Sequence, residues 1–138
     1  MKILLDTNVI LDYMLGRNPF FDNALKILDL ASYENQLTVV SSSAITDIFY
    51  HVNRAFRDSF ITQDKIEELM QIISVLDVTE DDIRRALSLR WKDFEDAVQY
   101  SVAVSNHVDF IITRNASDFE SRDIPVMNPE EFLLYLGM

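Results

Sequence analysis

Four short segments carry carboxylates where a folded chain could gather them. Asp6 follows the apolar run Ile3-Leu4-Leu5 and is followed by Thr7-Asn8. Asp47 falls in the first turns of the helix expected after the run Leu37–Val40, beside its apolar stripe. Asp93 and Asp96 open another helix with both carboxylates projecting from one end. The fourth segment, Thr113-Arg114-Asn115-Ala116-Ser117-Asp118-Phe119, follows the run Phe110–Ile112. In open α/β sheets, ligands bind beyond the carboxyl ends of the strands, so acids at these places are well set to meet one. Two carboxylates held close oppose each other's ionisation unless a cation sits between them. Magnesium or manganese suits such a pair, because hard cations take oxygen ligands and keep several waters.

Each segment also has an account that needs no ligand. Asp6 can simply cap a helix starting at Thr7. Asp47 can be a partner of its helix dipole, with His51, one turn later, as a local hydrogen-bond partner. Asp93 resembles an N-cap and Asp96 the third position of a capping box. The 113–119 segment can be an ordinary capped turn. What favours a shared site is the coincidence: three strand ends or adjoining helix starts each deliver an acid. They form one mouth only if the strands are adjacent, which periodicity does not show.

The elements that must position these acids follow from the apolar pattern. Short apolar runs alternate with longer amphipathic ones, which predicts an α/β domain with a mostly parallel sheet. Ile3–Leu5, Leu37–Val40 and Phe110–Ile112 read as buried strands, with weaker candidates at Val75–Val78 and Pro125–Met127. Asn18-Pro19 reads as the cap and first turn of a helix through Phe21, Ala24, Leu25, Leu28 and Ala31. Further helices are predicted after Ser41-Ser42-Ser43, after Thr62, from Asp93, and from Asn128-Pro129 to a stop at Gly137. No linker, repeat or low-complexity stretch interrupts the chain, so residues 1–138 read as one domain.

Composition narrows the chemistry. With no cysteine, disulfides, thiolate metal sites and cysteine nucleophiles are excluded. Apolar runs are only a few residues long, so no membrane span is expected, and Met1-Lys2-Ile3-Leu4-Leu5-Asp6 meets an acid too early for a signal peptide. A soluble cytoplasmic protein is the expectation. Twelve Lys+Arg against 23 Asp+Glu leave a net charge of −11, whereas a protein holding nucleic acid through a phosphate-neutralising surface would be basic. Either nucleic acid is not the ligand, or binding is local and metal ions supply the positive charge, or a basic partner covers the acidic surface. Arg54 with Arg57, Arg84 with Arg85, and Arg90 with Lys92 could meet phosphates, although solvated surface accounts for most such clusters. Trp91 reads as packing.

Together, Leu4–Asp12, Ser43–Asp47, Lys92–Tyr100 and Ile112–Phe119 resemble the PIN-domain family, in particular the branch with DFEDA and TRNxxDF motifs, similar to VapC-type toxins of toxin–antitoxin pairs. The resemblance covers essentially the whole chain. It implies a PIN-like α/β fold: a parallel central sheet of four to five strands flanked by helices. It also implies a magnesium- or manganese-dependent ribonuclease that hydrolyses RNA phosphodiesters. Carried over by position, Asp6, Asp47 and Asp96 match the three metal-binding, catalytic acids. Asn8 matches a polar position that orients the first of them. Asn115 falls where many members have a fourth aspartate, which argues for one firmly held ion rather than two, with Asp118 or Asp93 compensating. Arg114 and Lys92 are the candidate substrate contacts. A toxin would have a small antitoxin as partner, and homodimers are common among similar proteins.

Two rival readings stand beside this one. A PIN-like binding module with a degenerate metal site is favoured by Asn115. A phosphatase with Asp6 as nucleophile would need a second acid two residues later, where the chain has Asn8.

Overall fold

A computed structural model describes residues 1–33, 36–120 and 123–138. Its strands are β1 (Lys2–Leu5), β2 (Leu37–Ser41), β3 (Ser74–Leu76), β4 (Phe110–Ile112) and β5 (Val126–Met127). They form one sheet in the order β3-β2-β1-β4-β5, and every pairing is parallel. The helices are α1 (Thr7–Met14), α2 (Phe21–Asp29), α3 (Ser42–Phe56), α4 (Ser59–Ile72), α5 (Glu80–Leu89), α6 (Phe94–Ser105) and α7 (Pro129–Tyr135). The expected parallel sheet flanked by helices is what the structure shows.

Successive strand side chains point to opposite faces, and β1 uses both. Ile3 and Leu5 pack with Val9, Ile10, Ile27, Ile48, Val52 and Phe132 in one core cluster. Leu4 joins Val39, Ile111, Tyr100 and Phe119 in another. Strands buried on both faces read as continuous apolar runs, which is why β1, β2 and β4 stand out in the sequence. Among the described residues no helix is long and apolar enough to cross a membrane.

Several boundaries differ from expectation, each for a local reason. α2 starts at Phe21 rather than at Pro19, because residues 17–20 first close a turn in which Phe20 N–H donates to the Arg17 carbonyl at 3.0 Å. It also ends at Asp29, leaving Ala31 in a short 3₁₀ turn, Leu30–Ser32. α4 begins at Ser59 because the Asp58 side chain accepts from Phe60 N and Ile61 N. Thr62 lies inside that helix, its hydroxyl donating back to the Asp58 carbonyl at 3.0 Å. β3 ends at Leu76, short of Val78.

The topology decides where the site lies. From β1 the chain steps outward to β2 and β3, then returns to lay β4 along the other side of β1. The direction of winding therefore reverses between β1 and β4, and the crevice beyond their carboxyl ends is the natural ligand position. Leu5 pairs with Ile112, so the residues that follow, Asp6 and Thr113, emerge together. The Asp6 backbone N–H donates to the Ile112 carbonyl at 2.9 Å.

Candidate active site

Asp6 is buried, and its carboxylate is gripped from several sides. Thr7 N donates to Oδ1 at 2.7 Å, so Asp6 does cap α1. Gln99 Nε2 donates to the same oxygen at 2.9 Å. Thr113 Oγ1 donates to Oδ2 at 2.7 Å, and Asn8 Nδ2 reaches Oδ2 at 3.3 Å. Capping and site building are thus one arrangement rather than alternatives. Asn8 also accepts from Arg114 N at 3.2 Å, and Thr113 Oγ1 accepts from Asn115 N at 3.1 Å. This network ties α1, α6 and the turn after β4 to one carboxylate. The Gln99 Oε1 atom is buried without a hydrogen-bond partner among the described residues.

Asp96 stands at the start of α6. Asp93 caps this helix by accepting from Asp96 N at 3.0 Å. The capping account of Asp93 therefore holds, yet it does not exhaust the residue. Asp93, Asp96 and Asp118 each offer an oxygen, and these oxygens all lie within 4.8 Å of one another. Asp96 is buried while the other two are exposed. Burial, then the charges of Asp6, Asp93, Asp118 and Glu95, push the Asp96 carboxyl up to about 8. Glu95 is also raised, first by burial and then by Asp47, Asp93 and Asp6. Beside the trio is an open cleft of about 630 Å³ lined by Lys92, Phe94, Glu95 and Ser117 with Asp93 and Asp118.

The sign of the resulting pH dependence follows from proton binding. Between about pH 4 and pH 8 the folded chain keeps a proton on Asp96 that the unfolded chain has released. The contribution of Asp96 to the stability of the metal-free protein is therefore fully present below that range and is lost as pH rises through it. Thermal melts in chelator should show this decline. Adding magnesium or manganese should raise the melting temperature more at pH 8 than at pH 5.

Asp47 lies on α3, half-buried, with the His51 imidazole Nε2 at 3.5 Å from its Oδ1. It is close enough to Glu95 to raise that group, although it is not one of the 4.8 Å trio. The Asn115 side chain is exposed at the start of a short 3₁₀ turn, Ala116–Asp118. Lys92 is exposed, and its backbone N–H donates to Glu120. Arg114 is occupied elsewhere. Its Nε and Nη2 donate to Asp12 at 2.7 and 3.2 Å, and its guanidinium carbon lies 4.0 Å from the Phe20 ring centroid. Asp12 is buried and also accepts from Arg17 Nε at 2.9 Å.

Sequence reasoning did not single out Gln99, Thr113, Glu95 or Asp12. Gln99 lies three residues after Asp96, hence on the same helix face, and that phase could have exposed it. Thr113 is the first residue past β4, as Asp6 is past β1. Thr113→Val keeps the shape but removes the donor to Asp6 and the acceptor for Asn115. Partners of this kind are worth roughly 10–100-fold in metal affinity. A loss of that size in manganese calorimetry is expected, with the fold unchanged by circular dichroism.

A parallel sheet with a carboxylate cluster at its switch point defines the class: an α/β domain with an acidic cleft suited to a cation. The chain belongs to the PIN domain family, whose model matches residues 2–117. No curated protein matches it significantly. Its fold is that of solved toxin–antitoxin proteins. DNA-bound VapBC of Salmonella typhimurium aligns with TM-score 0.72 and 16% identity, over 94% of this chain and 98% of that one. A toxin–antitoxin complex from Klebsiella pneumoniae aligns with TM-score 0.70 and 21% identity, over 92% and 97%. VapC20 of Mycobacterium tuberculosis, a sarcin-ricin loop cleaving toxin, aligns with TM-score 0.62 and 18% identity, over 79% and 86%.

Proposed function

We propose that this chain is a magnesium- or manganese-dependent endoribonuclease, the toxin of a type II toxin–antitoxin pair. The observation that carries the reading is the convergence of Asp93, Asp96 and Asp118 beside the buried Asp6 at the β1–β4 crevice. The donor set fits a hard divalent cation. It is all carboxylate oxygen, and the charges acting on Asp96 are acids, with no positive partner among them. Asp96, Asp93, Asp118 and Asp6 would hold the ion, with Asp47 assisting from α3. Once bound, it supplies water activation and charge neutralisation at the scissile phosphate.

The chain's own residues do the rest. Thr113, Gln99 and Asn8 hold the Asp6 carboxylate in one orientation, so no reorganisation is needed on substrate binding. Hydrolysis forms a bond from water oxygen to phosphorus and breaks the bond to the 3′ oxygen, which takes up a proton. Glu95 lines the cleft, where burial and then the neighbouring acids raise its carboxyl, and it is the group placed to hold and deliver that proton. Family membership and the cleaving activity of VapC20 support RNA as substrate. The Klebsiella complex supports an antitoxin partner.

The test is cleavage of labelled RNA with magnesium or manganese, with and without excess chelator. Chelator should abolish cleavage, and restored metal should bring it back. Cleavage that persists in chelator refutes the metal-dependent reading. The alternative, a binding module with a degenerate site, has Asn115 in its favour. It requires that calorimetry show no heat at millimolar magnesium.

A further inference from the structure

The acidic cleft explains chemistry at one phosphate but leaves a chain of net charge −11 without a means of holding RNA. Four described cations are engaged in salt bridges: Arg17 and Arg114 with Asp12, Arg84 with Glu80, Lys65 with Glu68. α3 carries a cation outside those pairs, next to an exposed ring. Its guanidinium at Arg54 lies 5.8 Å over the ring of Tyr50, and among the described residues no carboxylate forms a salt bridge with it. Tyr50 is 57% exposed. Its other neighbour is His51, edge-on with ring centroids 5.3 Å apart. His51 in turn pairs with Asp47, and both act electrostatically on Glu95 at the cleft.

These residues form one continuous stripe. Positions 47, 50, 51 and 54 recur at helical spacing, and at 1.5 Å per residue the stripe runs about 10 Å along α3. It begins at the acids and ends at exposed Arg54, with exposed Arg57 at the left-handed cap just past the helix. An exposed ring with a guanidinium above it, leading away from a phosphodiester-cleaving site, is what an unpaired nucleobase and its phosphate require. Aromatic faces stack bases without sequence preference, and neighbouring cations meet the backbone. A base-paired duplex cannot offer a free base face to Tyr50.

We propose that the Tyr50–His51–Arg54 stripe of α3 binds single-stranded RNA flanking the scissile phosphate, one base stacking on Tyr50 and a phosphate meeting Arg54. This deepens the ribonuclease reading and rests on it. Tyr50 and Arg54 are binding residues here, with no part in bond cleavage.

The experiment compares steady-state cleavage of an unstructured 12-nucleotide RNA with that of an abasic dinucleotide, which has no base to stack on Tyr50. Tyr50→Ala should raise KM for the 12-mer about tenfold, within the range for loss of one stacked base, leaving kcat and dinucleotide cleavage unchanged. Tyr50→Phe, which keeps the ring, should behave as wild type. Arg54→Ala should raise KM and reduce the salt dependence by about one phosphate contact. An unchanged KM in Tyr50→Ala, or equal losses on both substrates, overturns the proposal while leaving the ribonuclease reading intact. If wild type cuts no RNA, that reading fails on its own. Anisotropy of a labelled 12-mer then decides the stripe, and equal or absent binding by wild type and Tyr50→Ala overturns it.

Discussion

Asp96→Asn is expected to lower RNA cleavage about a thousandfold while making the metal-free protein more stable at pH 8. The two effects have one origin. Burial of Asp96, and after it the charges of Asp6, Asp93, Asp118 and Glu95, push its carboxyl up to about 8. An amide of the same shape carries no charge, so it escapes the penalty that grows as pH rises. It also removes a ligand from the cation whose charge stabilisation is worth several kcal/mol, or about three powers of ten. Asp6→Asn should lose activity to a similar degree without the same gain, since it disrupts the acceptor for Thr7, Gln99 and Thr113. The paired measurement is single-turnover cleavage and thermal melting across pH. If both variants cut RNA like wild type, the acids are wrongly assigned. If Asp96→Asn melts below wild type at pH 8, the crowding argument fails.

Asp12→Ala should cost about 2–3 kcal/mol of folding stability. Removing one partner of a buried ion pair typically costs roughly 3–5 kcal/mol. The lower figure allows for Arg17 and Arg114, which are 39% and 26% exposed and can rehydrate. Asp12 is 1% exposed and holds both guanidiniums. It thereby fastens the turn after β4 to α1, in parallel with the Arg114 N–H bond to Asn8. Urea unfolding should show the midpoint fall with little change in slope. Arg114→Met should be costly alone, since it strips two donors from the buried Asp12 and leaves only the more exposed Arg17 to pair with it, and should cost much less in an Asp12→Leu background. If the two losses simply add, the clamp is not coupled.

The parallel sheet was legible because β1, β2 and β4 are buried on both faces and so read as unbroken apolar runs. β3 was blurred because its first residue, Ser74, is exposed and its other two are only half-buried. α5 went unread although Thr79 and Asp82 form a reciprocal capping box. Its exposed charged residues left only a narrow apolar face. Asp6 and Asp96 announced themselves by charge and position. Their convergence did not, since it depends on the β1–β4 pairing, and Gln99 meets Asp6 across 93 residues. Gln99 and Thr113 are uncharged and their types are common, so nothing local marks them. Arg114 looked available in the sequence only because Asp12, 102 positions earlier, lay out of view.

The family match stops at residue 117, yet the Thr113 N–H donates to the Met127 carbonyl at 2.9 Å. β5 holds the turn that steadies Asp6, and α7 sets Phe132, fully buried, against Phe110 of β4. β5 and α7, which put no acid in the cleft, are thus wired into its alignment. A slip of one residue in β5 would reverse the faces of Val126 and Met127 and reach the carboxylates through Thr113. On the ribonuclease reading, proteolytic nicking or an insertion between Phe119 and Met127 is expected to act as an off-switch, abolishing RNA cleavage while leaving every acid in the chain.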